Sequence, residues 1–184
     1  MNPRTAVFKH RMMTLITGGC RSGKSSHALA LASAYSAPRK FFIATAEALD
    51  EEMRLRIEHH RLTRPAEFRT MEEPRRLGVA LGLLAGRADV VVVDCLTLWI
   101  SNLLEENNDD TILGEAANVA TLLRQASFST VVVTDEVGWG IVPDNPVARR
   151  FRDLLGWTNQ MMARAADEVV LMAAGCPLRL KQSR

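Results

Sequence analysis

Eight consecutive residues constrain this chain more than any others: Gly18-Gly19-Cys20-Arg21-Ser22-Gly23-Lys24-Ser25. They fit GxxxxGK[ST] at every fixed position. A strand-like run, Thr14-Leu15-Ile16-Thr17, precedes them, and an Ala/Leu-rich helical pattern over 24–35 follows. The physics of such a segment is specific. Glycines let the backbone curl until successive N–H groups converge on an anion, and the positive end of the following helix adds to the field. The Lys24 ammonium reaches the β- and γ-phosphates of a nucleotide, and the Ser25 hydroxyl can ligate Mg²⁺. The chain therefore needs a strand, a loop and a helix in immediate succession, and it reads as a nucleotide-binding protein.

Further β-rich runs recur at 41–45, 90–94, 131–134 and 169–172, with helical patterns over 50–61, 74–85, 97–106, 111–126 and 146–166. Val90 to Val93 are four consecutive valines, which marks a strand covered on both faces. Strands alternating with helices predict a mainly parallel sheet with right-handed crossovers. The expected fold is α/β, a three-layer P-loop NTPase-type domain. Residues 1–12 read as an extension outside the fold and 13–184 as one domain. The run Glu105–Asp110 reads as a polar connection, and the tail 181–184 as frayed.

Ligands of such sheets bind beyond the carboxyl ends of the strands. Asp94 ends the valine run, where the acidic residue that holds Mg²⁺ beside a phosphate loop commonly sits. Asp135 and Glu136, after the run 131–134, compete for that role. The helix from about Asp50 carries Leu49, Met53 and Ile57 at spacings of four. At about 100° per residue His60 falls in that stripe, and His59 lies roughly a quarter-turn outside it. His60 is therefore expected to face the body of the protein. Two uses are open for the pair: stabilising a helix C-terminus, or nucleophilic attack on phosphorus to give a phosphoramidate. Arg61 and Arg64 could hold the phosphates of an attacked nucleotide. The segment Glu136–Asn145, with Gly138, Gly140 and Pro143, reads as a shaped loop at the ligand edge. It is expected to contact substrate or a second subunit, or to be structural with Trp139 filling a gap.

These residues add up to a resemblance. ITGGCRSGKS, FIATAEALDEEMRLRIEHHRLTRP, RTMEEP, VVVDCLTLWISNLL and VTDEVGWGIVPDNPVARRFRDLLGWTNQMMARAADEVVLMAAG together resemble the bifunctional adenosylcobinamide kinase / adenosylcobinamide-phosphate guanylyltransferase (CobU/CobP) family of cobalamin biosynthesis, from about Met13 to Lys181. The phosphate loop is shared with many families; the RIEHH and EVGWGIVP segments are far more specific. The resemblance implies a RecA-like fold and two reactions. ATP or GTP phosphorylates the hydroxyl of the corrinoid's aminopropanol arm; the GMP moiety of GTP is then joined to that phosphate, with release of pyrophosphate. It implies His60 as the guanylylated residue, with Lys24 the other catalytic group. Its nucleotide contacts fall on Gly18, Gly19, Cys20, Arg21, Ser22, Gly23, Lys24 and Ser25, on Thr45, Ala46 and Glu47, on Arg61, Leu62, Thr63 and Arg64, and on Glu72 and Asp94. Mg²⁺ is expected on Ser25 and Asp94. Glu136 and Asp94 are the candidates for the general base of the kinase step. The corrinoid is the implied partner and a homotrimer the implied assembly. Two rivals differ in what they require. A generic small-molecule P-loop kinase needs no His60, and a nucleotide-dependent regulatory module needs no small-molecule acceptor.

Composition narrows the classes that remain. The 184 residues are 47% hydrophobic and 24% charged with a formal net charge of +2, so the chain can bury a core and is not built to coat nucleic acid or an anionic membrane. No apolar run approaches the ~20 residues of a membrane span, and the N-terminus lacks an apolar signal region. Cys20, Cys95 and Cys176 are scattered and odd in number, which is not a disulfide framework or a zinc site. The expected compartment is the cytoplasm.

Overall fold

The computed structural model of the chain describes residues 11–182 apart from Leu49 and Thr63, with Arg56 described in its backbone only. Thirteen elements are described in that span. In chain order they are β1 (Met13–Gly18), α1 (Lys24–Ser33), β2 (Lys40–Ala44), α2 (Glu51–Leu62), β3 (Phe68–Glu72), α3 (Leu77–Leu84), β4 (Val90–Asp94), α4 (Leu96–Leu103), α5 (Asp109–Gln125), β5 (Ser129–Val133), α6 (Pro146–Ala165), β6 (Glu168–Ala173) and β7 (Cys176–Gln182). One sheet holds all seven strands in the order β3-β2-β4-β5-β1-β6-β7. Every neighbouring pair is parallel except β6 and β7.

Alternation along the strands splits the core into two layers. Val91 and Val93 face a cluster built by α3, α4, α5 and α6, with Trp99, Ile112, Leu154 and Met162 wholly enclosed. Val90 and Val92 face Ala28 and Ala32 of α1. Both faces of β4 are covered, which is why its sequence is a valine run and not an alternating one. Each buried valine contributes up to about 1.5–3 kcal/mol of transfer free energy.

Two strands fall outside the sequence expectation. β3 (FRTME) has one buried residue, Phe68, and sits at the sheet edge, so it lacks the apolar run by which strands are recognised. β7 (CPLRLKQ) is exposed along its whole length and tolerates Pro177 because it is the other edge. The tail is thus ordered through Gln182: Lys181 Nζ bonds the carbonyl oxygens of Ala163, Arg164 and Ala166 at 2.9, 3.1 and 2.5 Å. Those carbonyls are orphaned at the C-terminus of α6, where a cation is favoured. The polar run 105–110 is likewise no simple connection. It contains Asn108, which caps α5 by accepting the Thr111 N–H, and Asp109, whose carboxylate pairs with Arg150 of α6 at 2.6 Å. Of the extension, 1–10 lie outside the described residues.

The parallel strands bring Gly18, Ala44, Asp94 and Val133, the last residues of β1, β2, β4 and β5, to one edge of the sheet. β4 is not the neighbour of β1; β5 lies between them. The functional residues gather at this edge.

Candidate active site

A cavity of about 990 Å³ opens at that edge, between the phosphate loop and α2. Arg21 to Ser26 form one wall, with Asp94 and Asp135 at the strand ends. Met53, Ile57 and His60 of α2 line the cavity on the side of that helix, and Arg61, Arg64, Thr70 and Glu72 also belong to the lining.

The loop takes its shape from close packing. Gly18 has φ +149 and Gly23 φ +95. A Cβ on Gly18 would stand 2.3 Å from the Met172 carbonyl oxygen, so only glycine fits there. Lys24 is buried, and its Nζ donates to the Gly19 carbonyl at 2.6 Å and meets the Asp135 carboxylate at 2.6 Å. The ammonium is thereby held over the loop.

Asp94, although its strand is one removed from β1, reaches the loop through its side chain. Burial pushes its carboxyl above the usual carboxylate range, and the Ser25 hydroxyl bond, His60 and Lys24 pull it back. A hydroxyl and a carboxylate side by side form a hard-oxygen pair that suits Mg²⁺, which takes one or two carboxylates and completes its shell with phosphate and water. Asp135 is the second carboxylate on the cavity, held in place by its backbone: its N–H donates to Thr97 Oγ1 at 2.7 Å, and its carbonyl accepts from Asn159 Nδ2 at 3.0 Å. Glu136 lies outside the lining, its carboxylate accepting the Gly138 N–H at 3.3 Å.

α2 buries none of its described side chains. Its apolar stripe is spent on the cavity. His60 is half-buried there with Met53 and Ile57, while His59 is exposed, as the helical spacing predicts; Leu49 lies outside the described residues. His59 nonetheless stands at the rim of the same cavity, its ring edge-on to that of His60 at 6.4 Å between centroids.

Arg64 lies over the Phe42 ring at 3.7 Å, and its Nε is buried with no hydrogen-bond partner among the described residues. Burial lowers its pKa from the ordinary arginine value and Asp94 partly restores it. A desolvated guanidinium with an unused donor beside a phosphate loop is suited to an anionic ligand. Arg61 forms an ion pair with Glu72 at the rim.

The remaining residues expected at the nucleotide divide. Ala46 lines the cavity; Thr45, Glu47 and Leu62 do not. The Thr45 hydroxyl is enclosed, donating to the Cys95 carbonyl at 2.7 Å and accepting the Cys95 N–H at 2.8 Å. Glu47 pairs with Arg75 at 3.1 Å. Leu62 is exposed, and Thr63 lies outside the described residues. In the phosphate loop Arg21 to Ser25 line the cavity, while Gly18, Gly19 and Cys20 shape the loop behind it. Phe42, Thr70 and Leu98 also line it and were not anticipated, because nothing local distinguishes them from core or strand residues. Asp135 was anticipated only as one of three acidic strand ends. Its distinction is that β5 adjoins β1, which depends on strand order.

Known proteins share the pattern of this chain over most of its length. Residues 14–180 match the model of the family described as "Cobinamide kinase / cobinamide phosphate guanyltransferase". The chain is 40% identical over 183 residues to the "Bifunctional adenosylcobalamin biosynthesis protein CobU" of Salmonella typhimurium, covering 92% of this chain and 100% of that protein. It is 41% identical over 170 residues to the "Bifunctional adenosylcobalamin biosynthesis protein CobP" of Pseudomonas aeruginosa, covering 92% and 98%. Among solved structures, the RadB recombinase superposes with a TM-score of 0.49 at 15% identity, over 87% of this chain and 73% of that one.

Proposed function

The chain belongs to the cobinamide kinase / cobinamide phosphate guanyltransferase family, and on that premise we propose that it phosphorylates adenosylcobinamide with ATP or GTP and then joins GMP from GTP to the new phosphate. The observation that carries the reading is that His60 and Lys24 open on one cavity, which Arg61 and Arg64 also line. A generic P-loop kinase has no use for a half-buried histidine in that position.

In the transferase reaction an imidazole nitrogen of His60 attacks the α-phosphorus of GTP. The bond to the bridging oxygen of the β-phosphate breaks, and pyrophosphate leaves. Lys24 and the N–H groups of the loop hold the departing phosphates; Arg61 and Arg64 hold charge developing at the α-phosphoryl group. A phosphate oxygen of the corrinoid then attacks the same phosphorus, and the histidine–phosphorus bond breaks to give adenosylcobinamide-GDP. Splitting one displacement into two lets the first product depart before the large acceptor arrives. In the kinase reaction no protein nucleophile is needed; positioning and electrostatics carry it. Mg²⁺, held by Ser25 and Asp94, would supply charge neutralisation at the phosphates.

The corrinoid's own contacts are expected on the loop after β5. We assign the enzyme to the cytoplasm, where the exposed thiols of Cys20 and Cys176 would stay reduced. We assign it a homotrimeric state, in keeping with the exposure of Trp139 (76%) and Ile141 (97%).

The test is to incubate the protein with labelled GTP and Mg²⁺. Label should enter from α-labelled but not from γ-labelled GTP. It should be lost in acid and survive base, as a phosphoramidate does. His60→Asn should take no label and lose the transferase step while retaining kinase turnover; His59→Asn should still take label. Peptide mapping that finds GMP on His59 or Lys24 would overturn the assignment.

A further inference from the structure

The turn between β6 and β7 meets the phosphate loop outside the cavity, whose lining includes neither Ala174 nor Gly175. Ala174 and Gly175 form this turn, both with positive φ, +51 and +81. The Gly175 N–H donates to the carbonyl oxygen of Ser22 at 3.1 Å. A Cβ built on Gly23 would lie 3.5 Å from the Gly175 Cα and 3.7 Å from the Met172 Cε, so the hairpin stands one side-chain atom away from the loop at this point.

The bond has a consequence for the phosphate site. The Ser22 carbonyl and the Gly23 N–H belong to one peptide unit, which is planar and trans, so the two point in opposite directions. Anchoring the carbonyl on the hairpin turns the Gly23 N–H away from the hairpin, toward the side where Ser22, Gly23 and Lys24 line the cavity. Gly23 also begins α1 in a left-handed conformation with no side-chain cap, so no side chain holds this peptide. We infer that Gly175 is a positioning residue for phosphate binding, acting through the Ser22–Gly23 peptide, and that the C-terminal hairpin completes the phosphate loop. The inference rests on the nucleotide-binding reading of the cavity and extends it to a residue about 150 positions away in the chain.

Space is not what requires glycine at 175: a Cβ there meets nothing within 4 Å. The requirement is the positive φ, which asparagine tolerates and a β-branched residue does not. This separates the variants. Gly175→Asn should bind GTP and inorganic pyrophosphate within about threefold of the parent, and Gly175→Val about tenfold or more weakly, with Gly175→Ala between them, on the scale of one lost hydrogen bond. Binding is read by calorimetry and the GTP KM by turnover. The KM for adenosylcobinamide should stay within about twofold in all three, because the proposed bond acts on the phosphate loop alone and neither Ala174 nor Gly175 lines the cavity. A merely structural role would lower the active fraction, seen as apparent kcat and thermal midpoint, while leaving the GTP KM in place. Equal pyrophosphate affinity in the Asn, Ala and Val variants would overturn the proposal. If the Val variant does not fold, the Asn–Ala comparison decides it by the same criterion. If the parent protein itself binds no GTP, the functional reading fails and not this inference alone.

Discussion

Lys24 shows how a residue's role is set by its nearest charges. Its ammonium is shared between the Gly19 carbonyl and Asp135, and a phosphate bound as proposed would compete with the latter. Asp135→Asn keeps the shape and removes the competing charge. It should tighten pyrophosphate binding without Mg²⁺ by roughly threefold to tenfold, the scale of an ion pair worth about 1 kcal/mol. Calorimetry in chelator checks this; weaker binding would mean that Asp135 supports the anion. Lys24→Ala should lower both turnovers by about a hundredfold or more, since the proposed mechanism places its charge on the nucleotide's β- and γ-phosphates in both. Circular dichroism should be unchanged, because the partners left behind, the Gly19 carbonyl and the Asp135 carboxylate, sit on residues that water reaches. The cysteines separate by environment. Burial pushes the Cys95 thiol up to about 12, and the Asp94 charge adds to the shift. At pH 8 its thiolate is then about one part in ten thousand. A thiol whose folded pKa is raised favours the folded state below its unfolded pKa of about 8.5, and that contribution is lost as pH climbs toward 12. Cys20 and Cys176 are exposed. Two thiols should therefore alkylate in the native protein and the third only on unfolding, with GTP slowing the reaction of Cys20.

At the scale of elements, legibility follows burial. β1, β2, β4, β5 and β6 are apolar enough to be read from the chain, since each is covered by helices or by other strands. β3 and β7 lie at the two edges, where most side chains face solvent and the pairing is made by backbone alone. Backbone hydrogen bonding leaves no signature in residue type. The hairpin β6–β7 matters beyond its own pairing, because Lys181 closes the C-terminus of α6. Lys181→Met should lower the thermal midpoint by about 2–4 °C, as expected for about 1 kcal/mol in a chain of this length. The GTP KM should not move, since Lys181 lies away from the phosphate loop. α2 is the reverse case: its periodicity was legible, but the stripe faces a cavity where most amphipathic helices face a core.

For the whole molecule, the apolar side chains left outside define what the single chain leaves uncovered. Trp139 fills no gap; with Ile141 and Val142 it projects from the loop after β5, whose far end is held by Asn145 at the cap of α6 and by Arg149 on the Pro143 and Asp144 carbonyls. In sedimentation the protein should run at three times the chain mass, and Ile141→Asp should shift it toward the monomer. The α/β class, the parallel sheet, the phosphate loop and the inward face of His60 were all determined by sequence, because each depends on neighbours within about a dozen residues: a motif, a valine run, a helical spacing. Strand order depends on contacts across the chain, which no local pattern encodes. Only the tertiary structure placed β5 between β1 and β4, and so set Asp135 against Lys24 while leaving Asp94 to reach Ser25 by its side chain. Only it closed the C-terminal hairpin onto the loop, so that Gly175 meets Ser22; a backbone hydrogen bond between residues so far apart is written in neither of them.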